Sequence, residues 1–216
     1  TTPTRATDLS RTDRALSPRV GLIWSPTAQS SYYASYSFSF LPSAETLGLT
    51  VLDKASGLST ADFEPEDAKN YEIGGRWDLT PRLELSAAVF RLDRNHVRNA
   101  DGNGGFVQTG QQRTQGIELG LQGEIGPGWQ VLAGYSFLDA KVTRATAAAA
   151  TLGHHPQLVP QHTLSVWNRI ELGQGFGAGL GLIHQGSSYP NVDNAVLLPA
   201  FTRADAALYY AVGGRG

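Results

Sequence analysis

The stretch Gly116–Gly128, "GIELGLQGEIGPG", decides how this chain is read. In an extended backbone successive side chains point to opposite sides, so Ile117, Leu119, Leu121 and Ile125 share one face. Glu118, Gln122 and Glu124 share the other, and "GPG" then reverses the chain. The segment is a strand with one apolar and one polar side, and the fold turns on which solvent meets each. The pattern recurs on either side of it. In "NYEIGGRWDL" (70–79), Tyr71, Ile73, Trp77 and Leu79 oppose Glu72, Arg76 and Asp78. In "HTLSVWNRIEL" (162–172), Leu164, Val166, Ile170 and Leu172 oppose Thr163, Ser165, Arg169 and Glu171. In "FGAGLGLIHQG" (176–186), Phe176, Ala178, Leu180 and Leu182 oppose Gly177, Gly179 and Gly181. A period of two marks a sheet with dissimilar faces.

Extending this reading gives nine strands, at 19–25, 30–40, 69–79, 82–95, 106–125, 129–142, 161–172, 176–187 and 200–212. The alanine-rich segment "TRATAAAATLG" (143–153) has no amphipathic stripe and reads as loop. The connections are as informative as the strands. Short ones, at 26–29, 80–82, 126–128 and 173–175, alternate strictly with long ones at 41–68, 95–105, 143–160 and 188–199. Greek-key sandwiches mix connection lengths, whereas outer-membrane barrels keep short turns at one rim and long loops at the other. The sequence therefore predicts an antiparallel transmembrane β-barrel wall. Ile117, Leu119, Leu121 and Ile125 then face lipid, and Glu118, Gln122 and Glu124 face a polar lumen. Trp24, Trp77 and Trp129 lie beside short turns, where an interfacial girdle would hold them, while Trp167 points inward.

Composition is consistent with this and excludes several classes. The 216 residues carry a formal charge of −2, which makes no case for nucleic acid or for an anionic membrane surface. There is no cysteine, hence no disulfide and no thiolate metal site. Methionine is absent even from position 1, as expected of a processed product or an internal piece. No apolar run reaches the roughly 18 residues of a spanning helix, a limit that does not apply to spanning strands. Two other readings share the alternation: a soluble meander with its apolar face inward, and a passive porin-like channel. A hydrolase needs a Ser–His–acid set. Alternation sends His184 to the face opposite Asp205, and no Gly-x-Ser-x-Gly turn is present.

Six ordered blocks carry a family resemblance: "EDAKNYEIGGRWDL" (66–79), "LELSAAVFRLDRNHVRNA" (83–100), "QTGQQRTQGIELGLQGEI" (108–125), "WQVLAGYSFLDAKV" (129–142), "PQHTLSVWNRIEL" (160–172) and "LPAFTRADAALYY" (198–210). With "SPRVGLIWSPTAQSSYYASYSFSFLPS" (17–43), the series resembles the barrel of TonB-dependent siderophore receptors, most nearly the catecholate-type ones. The resemblance implies about nine consecutive strands of a plugged barrel of about 22. Residues 1–216 would then be a partial barrel domain, without the plug and the final strands, unable to transport alone. It implies a bacterial outer-membrane receptor for ferric siderophores, not an enzyme. Iron would be carried as the ferric chelate rather than held as a cofactor. The partners implied are that chelate, outer-membrane lipid, and TonB reached through the plug.

Candidate ligand contacts follow from that resemblance. Arg94, Arg98, Arg113, Phe106 and Tyr189 lie in or beside long connections, and cations with aromatics suit an anionic, aromatic iron chelate. His154 and His155 join them, although adjacent histidines in extended chain diverge and make a poor paired metal site. "DGNGG" (101–105) lacks the further carboxylates of a calcium loop and reads as a turn. Inward charges, among them Glu72, Arg76, Asp78, Glu118, Arg169, Glu171, Arg203 and Asp205, are expected in lumen networks.

Overall fold

A computed structural model describes residues 12–42, 64–100, 106–108, 110–145 and 151–211. Nine long strands form one antiparallel sheet: β1 (Arg19–Thr27), β2 (Ser30–Leu41), β3 (Glu66–Thr80), β4 (Leu83–Asn95), β7 (Gln111–Gly126), β8 (Trp129–Arg144), β9 (His162–Gly173), β10 (Phe176–Gln185) and β11 (Phe201–Tyr210). Each pairs with its chain neighbours in that order, so the sheet is an up-and-down meander with β1 and β11 as its edges. Two short strands, β5 (Arg98–Ala100) and β6 (Phe106–Gln108), form a separate hairpin between β4 and β7. All four two-residue turns lie at one rim and all the long connections at the other. No described helix is long and apolar enough to cross a membrane.

The predicted strand over 106–125 is two elements. Gly110 takes a left-handed φ of 75° and ends the hairpin arm, and His96 does the same at the other side with φ 56°. The His96 N–H donates to the Gly110 carbonyl, 2.6 Å away, which closes the base of the hairpin. Alternation continues through such a break, so periodicity alone could not locate it. The turn at 101–105 and most of the alanine run (146–150) lie outside the described residues.

Register shows what each face contains. Ala34, Ile73, Val89, Ile117 and Phe137 form one row across β2, β3, β4, β7 and β8. Ala87, Leu119, Tyr135, Leu164 and His184 continue the same face into β10. Large apolar side chains stand open on it: Leu22 is 71% exposed, Ile73 63%, Leu180 62% and Leu208 87%. The buried apolar residues among those described are only Val97, Val131, Ala140, Val142 and Val192. A soluble meander would have to bury that face in a core, and no second layer covers it among the described residues. The face is built for hydrocarbon.

Aromatic pairs bracket the band. At the short-turn rim Tyr32 lies between Trp24 and Trp77, at 5.5 and 5.8 Å, and accepts a hydrogen bond from Trp77 Nε1 at 3.1 Å. Trp129 Nε1 donates to Asn168 at 3.1 Å. Toward the long-loop rim Tyr36 packs on Tyr71 and Phe137 on His162. Rings with one apolar body and one polar tip suit these two interfaces.

The polar face is satisfied by cross-strand networks. Tyr33 donates to Glu72 across Gly74, where a Cβ would overlap the tyrosine ring. Arg76 lies 3.5 Å from Glu84, which also accepts from Gln122 at 3.1 Å. Trp167 does point to this side and fills the space left by Gly179 and Gly181, so those glycines have a packing reason. The Arg169 guanidinium stacks over Tyr209, 5.0 Å from the ring centroid.

Candidate functional site

Among the described residues, the connection after β8 and the connection after β10 build a structure at the long-loop rim. Val142 anchors the first: its N–H donates to the His154 carbonyl and its carbonyl accepts from Gly153, both at 2.9 Å. The second is closed at its base by a two-way backbone pair between Ser188 and Leu198. The two loops then clasp each other. Leu158 N–H donates to the Tyr189 carbonyl at 2.7 Å. The Asn194 side chain accepts from the His155 N–H at 2.7 Å and donates to the His155 carbonyl at 2.9 Å, satisfying both backbone groups of one residue. Asn194 itself is left-handed, with φ 54°, a conformation asparagine tolerates better than most residues. Val142 and Val192, 1% and 3% exposed, are buried in this region.

His154 and His155 diverge, as expected, and each has a separate role. His154 Nδ1 lies 3.0 Å from the Val192 carbonyl, which can only accept, so Nδ1 carries the proton. His155 stacks on Tyr189, with centroids 5.7 Å apart and planes 19° from parallel. The product is a half-buried aromatic pair held by the clasped backbone and able to stack a planar ring, with the His154 imidazole bound to the Val192 carbonyl. No group of three or more described His, Asp or Glu residues is arranged to hold a bare metal ion.

The arginine candidates are elsewhere. Arg94 is on the polar face at the end of β4, bound through Nε (2.8 Å) and Nη2 to Glu66, which is 8% exposed. It fixes the start of β3. Arg113 is in β7 on the apolar side of the sheet, bound to Asp93 at 2.6 Å, and does not join the loop structure. Arg98 and Phe106 open the two arms of the β5–β6 hairpin. Asn194 was not singled out by sequence reasoning. "NVDN" announces a turn, but nothing local says that its last residue reaches a loop 39 residues away.

Asn194→Ala should leave the His155 N–H without its acceptor and remove about 2 kcal/mol of loop docking. Hydrogen exchange over 151–160 would then rise about 30-fold. Unchanged exchange there would show that the loops dock without the clasp.

The family described as "TonB dependent receptor-like, beta-barrel" matches residues 1–215. A probable TonB-dependent receptor of Bordetella pertussis, BfrD, is 32% identical over 211 residues, covering 93% of this chain and 28% of the relative. The catecholate siderophore receptor Fiu of Escherichia coli is 29% identical over 216 residues, covering 97% and 28%. Among solved structures, the siderophore receptor PiuA of Acinetobacter baumannii superposes with a TM-score of 0.75 at 28% identity, over 90% of this chain and 29% of that one. The closed form of Fiu gives 0.72 at 28% identity, over 90% and 28%. The chain thus spans little more than a quarter of these relatives.

Proposed function

This chain belongs to the TonB-dependent receptor β-barrel family of the bacterial outer membrane, and on that premise we propose that it is the ligand-capturing wall of a ferric-siderophore uptake receptor. The apolar face meets lipid and the polar face lines the lumen. The long loops face outward and take the iron chelate. Energy arrives through TonB and a plug domain. Nothing in that cycle makes or breaks a covalent bond, so no residue here is assigned a catalytic role.

The observation that carries the reading is the clasped loop pair. Its stacked His155 and Tyr189 offer a flat surface to an aromatic iron ligand, and catecholate-type chelates present such rings. Pre-ordering by Asn194 lowers the entropic cost of capture. Arg98 and Phe106, the cation and the aromatic residue that the sequence offers, lie on the β5–β6 hairpin in the next long connection.

The test is equilibrium binding of a ferric catecholate chelate to the whole receptor that contains this chain. Tyr189→Ala with His155→Ala should weaken binding about 10-fold while receptor abundance is unchanged, because stacking of this kind contributes about 0.5–1.5 kcal/mol per ring. Equal affinity in the double variant would remove the loop pair from the site. Equal affinity in Arg98→Ala and Phe106→Ala would likewise remove the hairpin.

A further inference from the structure

The long connection that enters β3 and the hairpin that follows β4 meet through side chains, and they meet residue by residue. Glu64, Glu66 and Asp67 stand at the entry to β3, and the consecutive donors Arg94, Asn95 and His96 leave β4. Glu66, 8% exposed, takes Arg94, bonded through Nε at 2.8 Å. Asp67 accepts from Asn95 Nδ2 at 2.6 Å, and the two are also register partners across β3 and β4. The last contact lies beyond both strands. His96 Nε2 is 2.7 Å from the Glu64 carboxylate, and Nδ1 is 3.6 Å from that of Asp67. A carboxylate can only accept, so the ring donates through Nε2.

The first two contacts continue the strand pairing through side chains, but the third needs another reason. His96 is left-handed, and its N–H closes the base of the β5–β6 hairpin on Gly110. Its side chain reaches back to Glu64 while its backbone sets the direction in which the hairpin leaves the sheet. Val97, the next residue, is 2% exposed, and the first arm then opens at Arg98. Asparagine and aspartate adopt such a φ as readily as histidine, so the bend alone does not demand an imidazole. Packing does not demand it either. His96 and Glu64 border an open cavity of about 610 Å³, and the Glu64 side chain is 66% exposed. What the imidazole adds is reach to a carboxylate on the neighbouring connection.

We propose that Glu64 and His96 form a positioning latch, by which the connection entering β3 holds the β5–β6 hairpin at its base and so places Arg98 and Phe106 for chelate capture. The inference rests on the capture reading above. Glu64 and His96 act through the hairpin and are assigned no contact with the chelate. The buried Glu66–Arg94 pair is the fixed part of the junction, and the exposed Glu64–His96 pair is the part that can open. An ion pair this exposed shifts a local equilibrium by about three- to fivefold, enough to bias the hairpin without locking it.

The experiment uses the whole receptor and reads two quantities: hydrogen exchange of the amides at 98–100 and 106–108 without ligand, and equilibrium affinity for a ferric catecholate chelate. His96→Asn keeps a residue that tolerates the left-handed backbone and withdraws the side chain from Glu64. Exchange in the hairpin should become about fivefold faster and chelate affinity about threefold weaker. Glu64→Ala should give about threefold in each. Glu64→Gln, whose amide oxygen still accepts from Nε2, should recover the larger part of both. The double variant His96→Asn with Glu64→Ala should lose no more than His96→Asn alone, because the two changes remove one shared contact. Unchanged exchange in both single variants overturns the proposal and leaves the capture reading standing. Additive losses in the double variant overturn it as well, as does a Glu64→Gln that behaves like Glu64→Ala. Faster exchange with unchanged chelate affinity also overturns it, and Arg98→Ala measured alongside separates the two causes. If Arg98→Ala binds equally, the hairpin is no part of the capture site; if it binds more weakly, the hairpin captures without being latched.

Discussion

Leu119→Arg is expected to destabilise the barrel by about 2–4 kcal/mol, the cost of placing a cation on the lipid face near the midplane. Leu119 sits between Ala87 and Tyr135 on neighbouring strands, inside the band. Its side chain is already 44% exposed in this sheet, so in a soluble protein the substitution would be nearly neutral. The matched control is Gln122→Arg, three residues along the same strand but on the polar face beside Glu84. An arginine there still meets a carboxylate and should change stability by less than about 0.5 kcal/mol. Unfolding of the whole receptor in lipid vesicles reads both. A small effect at Leu119, or equal effects at the two sites, would mean that the apolar face meets another protein layer and not hydrocarbon.

That contrast also explains why the strand count was readable from one sequence. A lipid-exposed barrel wall must alternate at nearly every position, since each error costs kilocalories, and so all nine long strands announced themselves. Long loops at one rim and tight turns at the other were legible for the same reason, through "GPG" at 126–128 and its counterparts. What was not legible depends on contacts between distant segments. The break at Gly110 and the β5–β6 hairpin preserve alternation, so the period carried no trace of them. Arg113 looked like a loop residue because the lipid band ends before the strand does; only the pairing with Asp93 and Lys141 places it on the outer wall. The chemistry of His154, His155 and Tyr189 is visible in the sequence, but their proximity depends on contacts between the two loops, among them those of Asn194, a residue whose type says only "turn". Sequence pattern reports a residue's solvent well and its partner poorly.

Gly123→Ala is the second large effect expected, about 3 kcal/mol, and it comes from backbone geometry and not from solvent. Gly123 has φ 129°, a region closed to side-chain-bearing residues at low cost, and a Cβ there would overlap the Arg82 carbonyl oxygen. That carbonyl cannot retreat, because it accepts the Glu124 N–H at 2.8 Å. Glu124 in turn binds Arg82 Nη1 at 2.8 Å and the Gly128 N–H at 3.0 Å, so this end of β7 joins the β3–β4 turn to the β7–β8 turn. Gly126, on the same strand, has no atom within 4 Å of the place a Cβ would take and no left-handed φ, so Gly126→Ala should be close to neutral. The two substitutions remove one glycine each and add one methyl each, which cancels their effect on the unfolded chain. Any difference in unfolding midpoint therefore belongs to the folded end of β7. If both variants unfold together, the short-turn rim is not pinned at Gly123, and the register of β4 against β7 must be set by the alternation of their faces alone.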